Sequence, residues 1–327
     1  MSAALVTGAT TPIGRALVAE LLDSGACERV LAVGLEKDPG PMRDGVDYLS
    51  ADLTRHRSVR RLLFGPARDL GVKTIVHAAL HRSVLGKRSA LHAMNVASTR
   101  ELLLLAEQQP TIERFVYRSF AEVYRVAHRE PDLIDEEHPL ELSPRTPQRV
   151  RDRVEADLTV CAHLGHSPLH IVVLRCAEIP IAEAGSQLYD YLGSEVCFRP
   201  LGFDPIINLL SVKDAARSVA LAVTTDSQGV FNIPGADSLP LSMLIERTGR
   251  LGIPAPGPLL SPLYRLRRLA IGTEFRYSMN KRRFHFGGIL DGRRAARALG
   301  YRPSHPIDFA ALAADRLSAA SKSSEAT

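Results

Sequence analysis

The 327-residue chain carries 41 basic and 36 acidic residues, a net charge of +5, with 45% hydrophobic and 24% charged residues. That balance describes a globular protein with a sizeable core and excludes a disordered or collagen-like chain. Basic residues are spread along the sequence without interleaved aromatics, and no apolar run reaches about 18 residues, so neither nucleic-acid binding nor a transmembrane segment is expected.

The elements in chain order begin with an apolar strand, "AALVTG" from Ala3, that follows no basic leader, and a cytoplasmic location is expected. Next come "GRALVAELLDSG" as helix, "RVLAVG" as strand, "SVRRLLFGPARDLG" as helix and "TIVHAAL" as strand. The alternation continues through "ASTRELLLLAEQQ", "RFVYRS", a helix from about Pro147 to His163, and "HIVVLRC". This βαβ rhythm predicts a parallel, doubly wound sheet of six or seven strands, because parallel strands need crossover helices on both faces. Beyond Ile179 short strands ("VCFRP", "IINLLSV", "GVFNIPG") mix with helices ("KDAARSVALAV", "PLSMLIERTGRLG", "DGRRAARALG"), with a Gly/Pro-rich joint at "GIPAPGPLLSP". The expected organisation is a nucleotide-binding domain over 1–178, a smaller C-terminal α+β substrate lobe over 179–315 with pieces returning to the main sheet, and a disordered tail over 316–327. Cys27, Cys161, Cys176 and Cys197 lie far apart without metal-ligand spacing, so free thiols and no metal site are expected.

Residues 4–16, "ALVTGATTPIGRA", set a glycine turn between a strand and a helix. Gly8 permits the tight turn and Gly14 the close packing of helix on strand, while the helix N-terminus offers free N–H groups to a pyrophosphate. Gly8, Thr10, Thr11, Pro12, Ile13 and Gly14 are the candidate phosphate-binding residues. Thr11 stands at the middle-glycine position, where its side chain hinders phosphate approach and its hydroxyl is expected to donate a bond in compensation. An acid for the adenosine ribose is expected at the end of the second strand, where Glu36 and Lys37 follow Gly34. Glu36 favours NAD, whereas Lys37 would accept the extra phosphate of NADP, so the expected cofactor is NAD or NADP.

These motifs, together with "ADL" at 51–53, "VHAAL" at 76–80, "NVASTRELLLLA" from Asn95, "RFVYRSFAEVY" at 114–124, "VVLRCAEI" from Val172 and "LLSVKDAARSVALA" from Leu209, resemble the extended short-chain dehydrogenase/reductases. That group includes the NAD-dependent epimerases and dehydratases of nucleotide sugars and 3β-hydroxysteroid dehydrogenase-like relatives. The resemblance implies a Rossmann fold and an epimerase- or dehydratase-like oxidoreductase. It places Asp52 and Leu53 beside the adenine, Ala79 under the cofactor, and Asn95 as a structural asparagine steadying the active-site helix. It admits a nucleotide sugar or a steroid- or lipid-like small molecule as substrate, and a homodimer. Lys213 and Asp214 read as a helix cap. The basic segments "YRLRRLA" from Tyr264 and "NKRRFHF" from Asn280 fall where relatives bind the distal part of the substrate, and suit a sugar diphosphate, an anionic lipid or an ordinary basic surface.

Members that move a hydride use a Tyr-x-x-x-Lys pair and a serine or threonine on the preceding strand. The tyrosine exchanges a proton with substrate, the ammonium lowers the tyrosine pKa, and the hydroxyl orients the carbonyl. Here Glu155 aligns Arg151 with the lysine and Pro147 with the tyrosine, and the serine position falls on Phe120. Arg151 could still bond a ribose, although its pKa is too high for a proton carrier. Ser119, Glu122 and Tyr124 are the possible recruits, with Tyr124 matching a packing tyrosine. The i,i+4 pairs Arg151/Glu155 and Arg153/Asp157 also read as a solvated face. Two functions stay open on this reading: an oxidoreductase with degenerate catalytic residues, and an inactive nucleotide-binding sensor or scaffold.

Overall fold

The computed structural model describes residues 2–81, 87–182, 185–271 and 273–314, so the tail expected over 316–327 lies outside the described residues. Seven strands form one all-parallel sheet: β1 (Ala3–Thr7), β2 (Arg29–Gly34), β3 (Val46–Ser50), β4 (Val72–His77), β5 (Arg114–Phe120), β6 (His170–Cys176) and β7 (Gly229–Ile233). Their spatial order is β3-β2-β1-β4-β5-β6-β7. The order reverses between β1 and β4, and in open α/β sheets the crevice at such a reversal is where ligands bind. The fold is therefore a doubly wound α/β Rossmann fold.

Central strands are apolar along their whole length because both sheet faces are covered; all five residues of β1 are buried. Alternate residues feed opposite layers. Ala4 and Val6 join Leu17 and Leu21 of α1 (Pro12–Asp23) and Val219 of α5 (Val212–Thr224). Ala3 and Leu5 join Leu62 of α2 (His56–Leu62) and Leu102 and Leu103 of α3 (Ser98–Glu107). The helix opened by the Pro-rich corner, α4 (Gln148–Cys161), contributes Val154 to one layer and Ala156 and Val160 to the other.

Strand β3 went unread in the sequence. It is a half-buried edge strand, so it lacks the unbroken apolar run that marked its neighbours. The segment "GVFNIPG" holds the opposite edge as β7, and "KDAARSVALAV" covers the sheet as α5, so both rejoin the main sheet from beyond Ile179. The joint expected at "GIPAPGPLLSP" is a strand, Leu251–Ala255, paired with Val196–Pro200, followed by a helix, Gly257–Ile271. A third core, separate from the sheet layers, gathers Tyr191, Tyr264, Phe275 and Phe284 from the C-terminal part of the chain. The rings of Tyr191 and Phe284 meet edge to face at 4.8 Å and those of Tyr264 and Phe275 at 4.7 Å, each such pair contributing about 0.5–1.5 kcal/mol beyond its buried area. Among the described residues, no helix is long and apolar enough to cross a membrane.

Candidate functional site

A cavity of about 340 Å³ opens at the β1/β4 reversal, lined by Gly8, Thr10, Thr11, Leu53 and Ala79 among the expected residues, and by Glu36. Gly8 sits at φ +70, and a Cβ there would lie 2.9 Å from Ala79 Cα. A Cβ on Gly14 would lie 2.0 Å from the carbonyl oxygen of Gly8, so helix α1 starts directly against the turn only because that position is bare.

Thr11 does not donate outward as expected. Its hydroxyl donates to Gly8 O at 2.8 Å and accepts from Gly14 N at 2.9 Å, capping α1. Pro12 occupies N1 and has no N–H, and the amides of Thr11 and Arg15 are bonded to Gly8 O and Thr11 O. Thr10 and Ile13 supply the remaining amides of the turn, while the Ile13 side chain is buried in the core.

At the far end of β2, Glu36 accepts from Thr10 Oγ1 at 2.7 Å and from Leu35 N at 3.1 Å, which holds its carboxylate at the cavity. Asp52 does not line the cavity. Its carboxylate accepts from the amide and hydroxyl of Thr54 and pairs with Arg55 at 3.0 Å, and these bonds outweigh burial to hold its pKa below the usual range. Asn95 is also outside the cavity: its Oδ1 accepts from His81 N at 2.9 Å and ties the loop after β4 to the helical run before α3.

The residues expected at the serine, tyrosine and lysine positions, Phe120, Pro147 and Arg151, line three different hollows. Arg151 turns to Pro144 O and Gln148 Oε1 and, with Glu155 and Leu158, lines a different surface hollow; it does not face the cofactor cavity, contrary to the ribose expectation. Pro147 caps the start of α4. Ser119 is fully buried and donates to Asp157, which in turn takes both Nε and Nη2 of Arg175, so this hydroxyl is no free substitute. Tyr124 donates to Asn232 Oδ1 at 2.6 Å and accepts from Arg175, the packing role read from its position.

The solvated-face reading of α4 fails for Arg153 and Asp157. Arg153 is 4% exposed and pairs with Glu122, Arg149 reaches the same carboxylate at 3.3 Å, and Arg283 binds it at 2.8 Å from the C-terminal part of the chain. Arg283 also holds Glu178 at 3.0 Å. Burial alone would raise the pKa of Glu122, but Arg149, Arg153 and Arg283 together bring it down to about 2. Burial and the neighbouring Arg149 cation push Arg153 down to about 9. The serine-position residue Phe120 lies under this cluster, with Arg153 Cζ 3.6 Å from its ring centre.

A family model, the NAD dependent epimerase/dehydratase family, matches residues 4–179. The chain belongs to the NAD-dependent epimerase/dehydratase family. An uncharacterised protein of Mycobacterium tuberculosis H37Rv is 29% identical over 311 residues, covering 91% of this chain and 79% of its own. Among solved structures, MoeE5 in complex with UDP-glucuronic acid and NAD has a TM-score of 0.69 at 19% identity, covering 98% of this chain and 99% of its own. DesIV, the dTDP-glucose 4,6-dehydratase from Streptomyces venezuelae with NAD and TYD bound, gives 0.69 at 20% identity, covering 98% and 96%. UDP-glucose 4-epimerase from Thermotoga maritima with UDP-glucose gives 0.70 at 16% identity, covering 98% and 99%. At these identities the likeness to solved structures is one of fold.

In this epimerase/dehydratase-family chain Lys281, Arg282 and Arg283 of the segment "NKRRFHF" line a cleft of about 220 Å³; Arg283 joins the cluster, and Arg282 pairs with Glu141. "YRLRRLA" turns the other way, with Tyr264 and Arg267 bonded to backbone carbonyls of the third core. Ser211 caps α5, and Asp214 instead accepts the amides of Ser304 and His305. Two features escaped the sequence reading. Glu178 takes part in the cluster, for which the only local signal was an acid just past an apolar strand. His92, Asp152 and Glu155 also bring ligand atoms within 4.8 Å of one another, although Asp152 already accepts from Gln148. All four cysteines are free thiols.

Proposed function

We propose that this family member binds NAD at the β1/β4 crevice and has lost the family's tyrosine-based hydride transfer, acting as a nucleotide-binding module with degenerate catalytic residues. The observation that supports the reading is that no free proton donor stands beside the aligned positions: Phe120 lies under Arg153, and Ser119 and Tyr124 are bound to buried partners. Bound NAD supplies a hydride acceptor. Gly8 and Gly14 would give it room, the amides of Thr10 and Ile13 would be offered to its phosphates, Ala79 and Leu53 would flank it, and Glu36 would select the ribose. Neighbours of the same fold hold UDP-glucose or UDP-glucuronic acid. A nucleotide sugar is the matching small-molecule partner for the cleft, whose rim carries Arg145, Lys281 and Arg282.

Calorimetric titration tests binding, with NAD(H) expected to bind and to outcompete NADP(H). Presenting UDP-glucose or UDP-glucuronic acid to the loaded protein is then expected to leave the nicotinamide absorbance unchanged. No binding of either cofactor at millimolar concentration removes the cofactor reading. A steady turnover signal removes the inactive one. The Glu36 carboxylate repels a 2′-phosphate, so Glu36→Gln is expected to narrow the preference for NAD over NADP by about tenfold, or about 1.4 kcal/mol. Competition titrations with both cofactors measure that ratio, and an unchanged ratio excludes Glu36 as its source.

A further inference from the structure

We infer that the cavity behind Phe120 is an oxyanion site that takes the carboxylate or phosphoryl head group of a small molecule whose body occupies the adjoining chamber. Arg118, on β5, carries the argument. It is 6% exposed, its Nε has no partner, and its guanidinium meets no hydrogen-bond acceptor among the described residues. It lines a cavity of about 20 Å³ together with Arg149, Arg153 and Arg283. Four guanidinium groups face two carboxylates there, Glu122 and Glu178, a surplus of 4 − 2 = 2 positive charges.

Neither carboxylate is available to Arg118. Glu122 is shared by Arg149, Arg153 and Arg283, and Glu178 accepts from Arg283 and from the Ser186 hydroxyl. A buried cation without a counter-charge is strongly disfavoured, whereas a guanidinium fork is matched by the two oxygens of a carboxylate or phosphoryl group. The donor is also preorganised: Arg118 Cζ lies 4.7 Å from the centre of the Phe120 ring, which carries Arg153 as well. Size limits the guest. About 20 Å³ admits a water-sized group, so head-group oxygens enter and a nucleotide does not. Ala121, Glu122 and Arg283 also line a neighbouring chamber of about 220 Å³, which leaves room for the rest of the molecule. The inference stands on these side chains alone and holds whether or not NAD binds.

Thermal unfolding of the full chain in sodium acetate and, separately, in inorganic phosphate tests it, with ionic strength held constant by sodium chloride. A saturable rise in Tm with at least one anion is expected; acetate alone assigns a carboxylate, phosphate alone a phosphoryl group. Arg118→Met is expected to weaken that response more than tenfold while its Tm without added anion equals or exceeds that of the parent, because the unpaired charge is gone. Arg118→Lys keeps the charge without the fork and decides the matter should the Met variant not fold: its response shifts to at least tenfold higher anion concentration. No stabilisation by either anion over chloride, or an unshifted response in the variants, overturns the site.

Discussion

Glu122→Gln is expected to destabilise the chain by about 3 kcal/mol at pH 7 and by progressively less as the solution is acidified below pH 4.5. Glu122 is 7% exposed and is the shared counter-charge of Arg149, Arg153 and Arg283, two of them on α4 and one in the C-terminal part of the chain. Removing one partner of a buried ion cluster leaves the others uncompensated, which costs about 3–5 kcal/mol. The pH dependence follows from the depressed pKa. In the unfolded chain the group titrates near its ordinary 4.5 and in the folded chain near 2. Its stabilising contribution is therefore complete above pH 4.5 and is lost as the pH falls through the window down to about 2. The span of that window corresponds to about 3 kcal/mol. Urea unfolding of parent and variant at pH 7, 4.5 and 3 measures the gap. A gap that stays constant across these values, or one below about 1 kcal/mol at pH 7, contradicts the shared-anion role.

Gly14→Ala is expected to reduce NAD affinity by at least about 100-fold, equivalent to about 2.7 kcal/mol. The added methyl would lie 2.0 Å from Gly8 O and 2.7 Å from Ala9 Cα, both backbone atoms, so relief requires α1 to move away from β1. That movement separates the amides of Thr10 and Ile13 from the turn and breaks the Gly14 N to Thr11 Oγ1 cap. Leu17 and Leu21 leave the core with the helix, so stability falls together with affinity. Calorimetry with NAD on the folded variant, judged by its circular dichroism, checks the binding loss. Binding within threefold of the parent would show that the close approach of helix and turn is not needed.

The cofactor end was readable because its determinants are local. Gly8, Thr11 and Gly14 lie within one turn, and strand, turn and helix follow one another in the chain. Even there, a hydroxyl between a phosphate and a helix N-terminus has two local uses, and Thr11 takes the capping one. Asp52 likewise serves its own turn through Thr54 and Arg55. The edge strand Val46–Ser50 was missed because a half-buried strand carries no continuous apolar run.

Taken alone, the sequence determined the parallel sheet and the nucleotide-binding turn. Apolar periodicity and motif spacing are properties of neighbouring residues and need no partner to be read. Tertiary structure alone decided what the arginines of α4 do. On the helix by themselves, Arg153 and Asp157 are an i,i+4 pair. In the fold Arg153 goes to Glu122, 31 residues earlier, and Asp157 to Arg175, 18 residues later. Arg283 arrives from 161 residues beyond Glu122. Buried charges pair with whatever opposite charge the packing brings closest, and that distance is set by the sheet and the segments packed on it rather than by spacing along the chain.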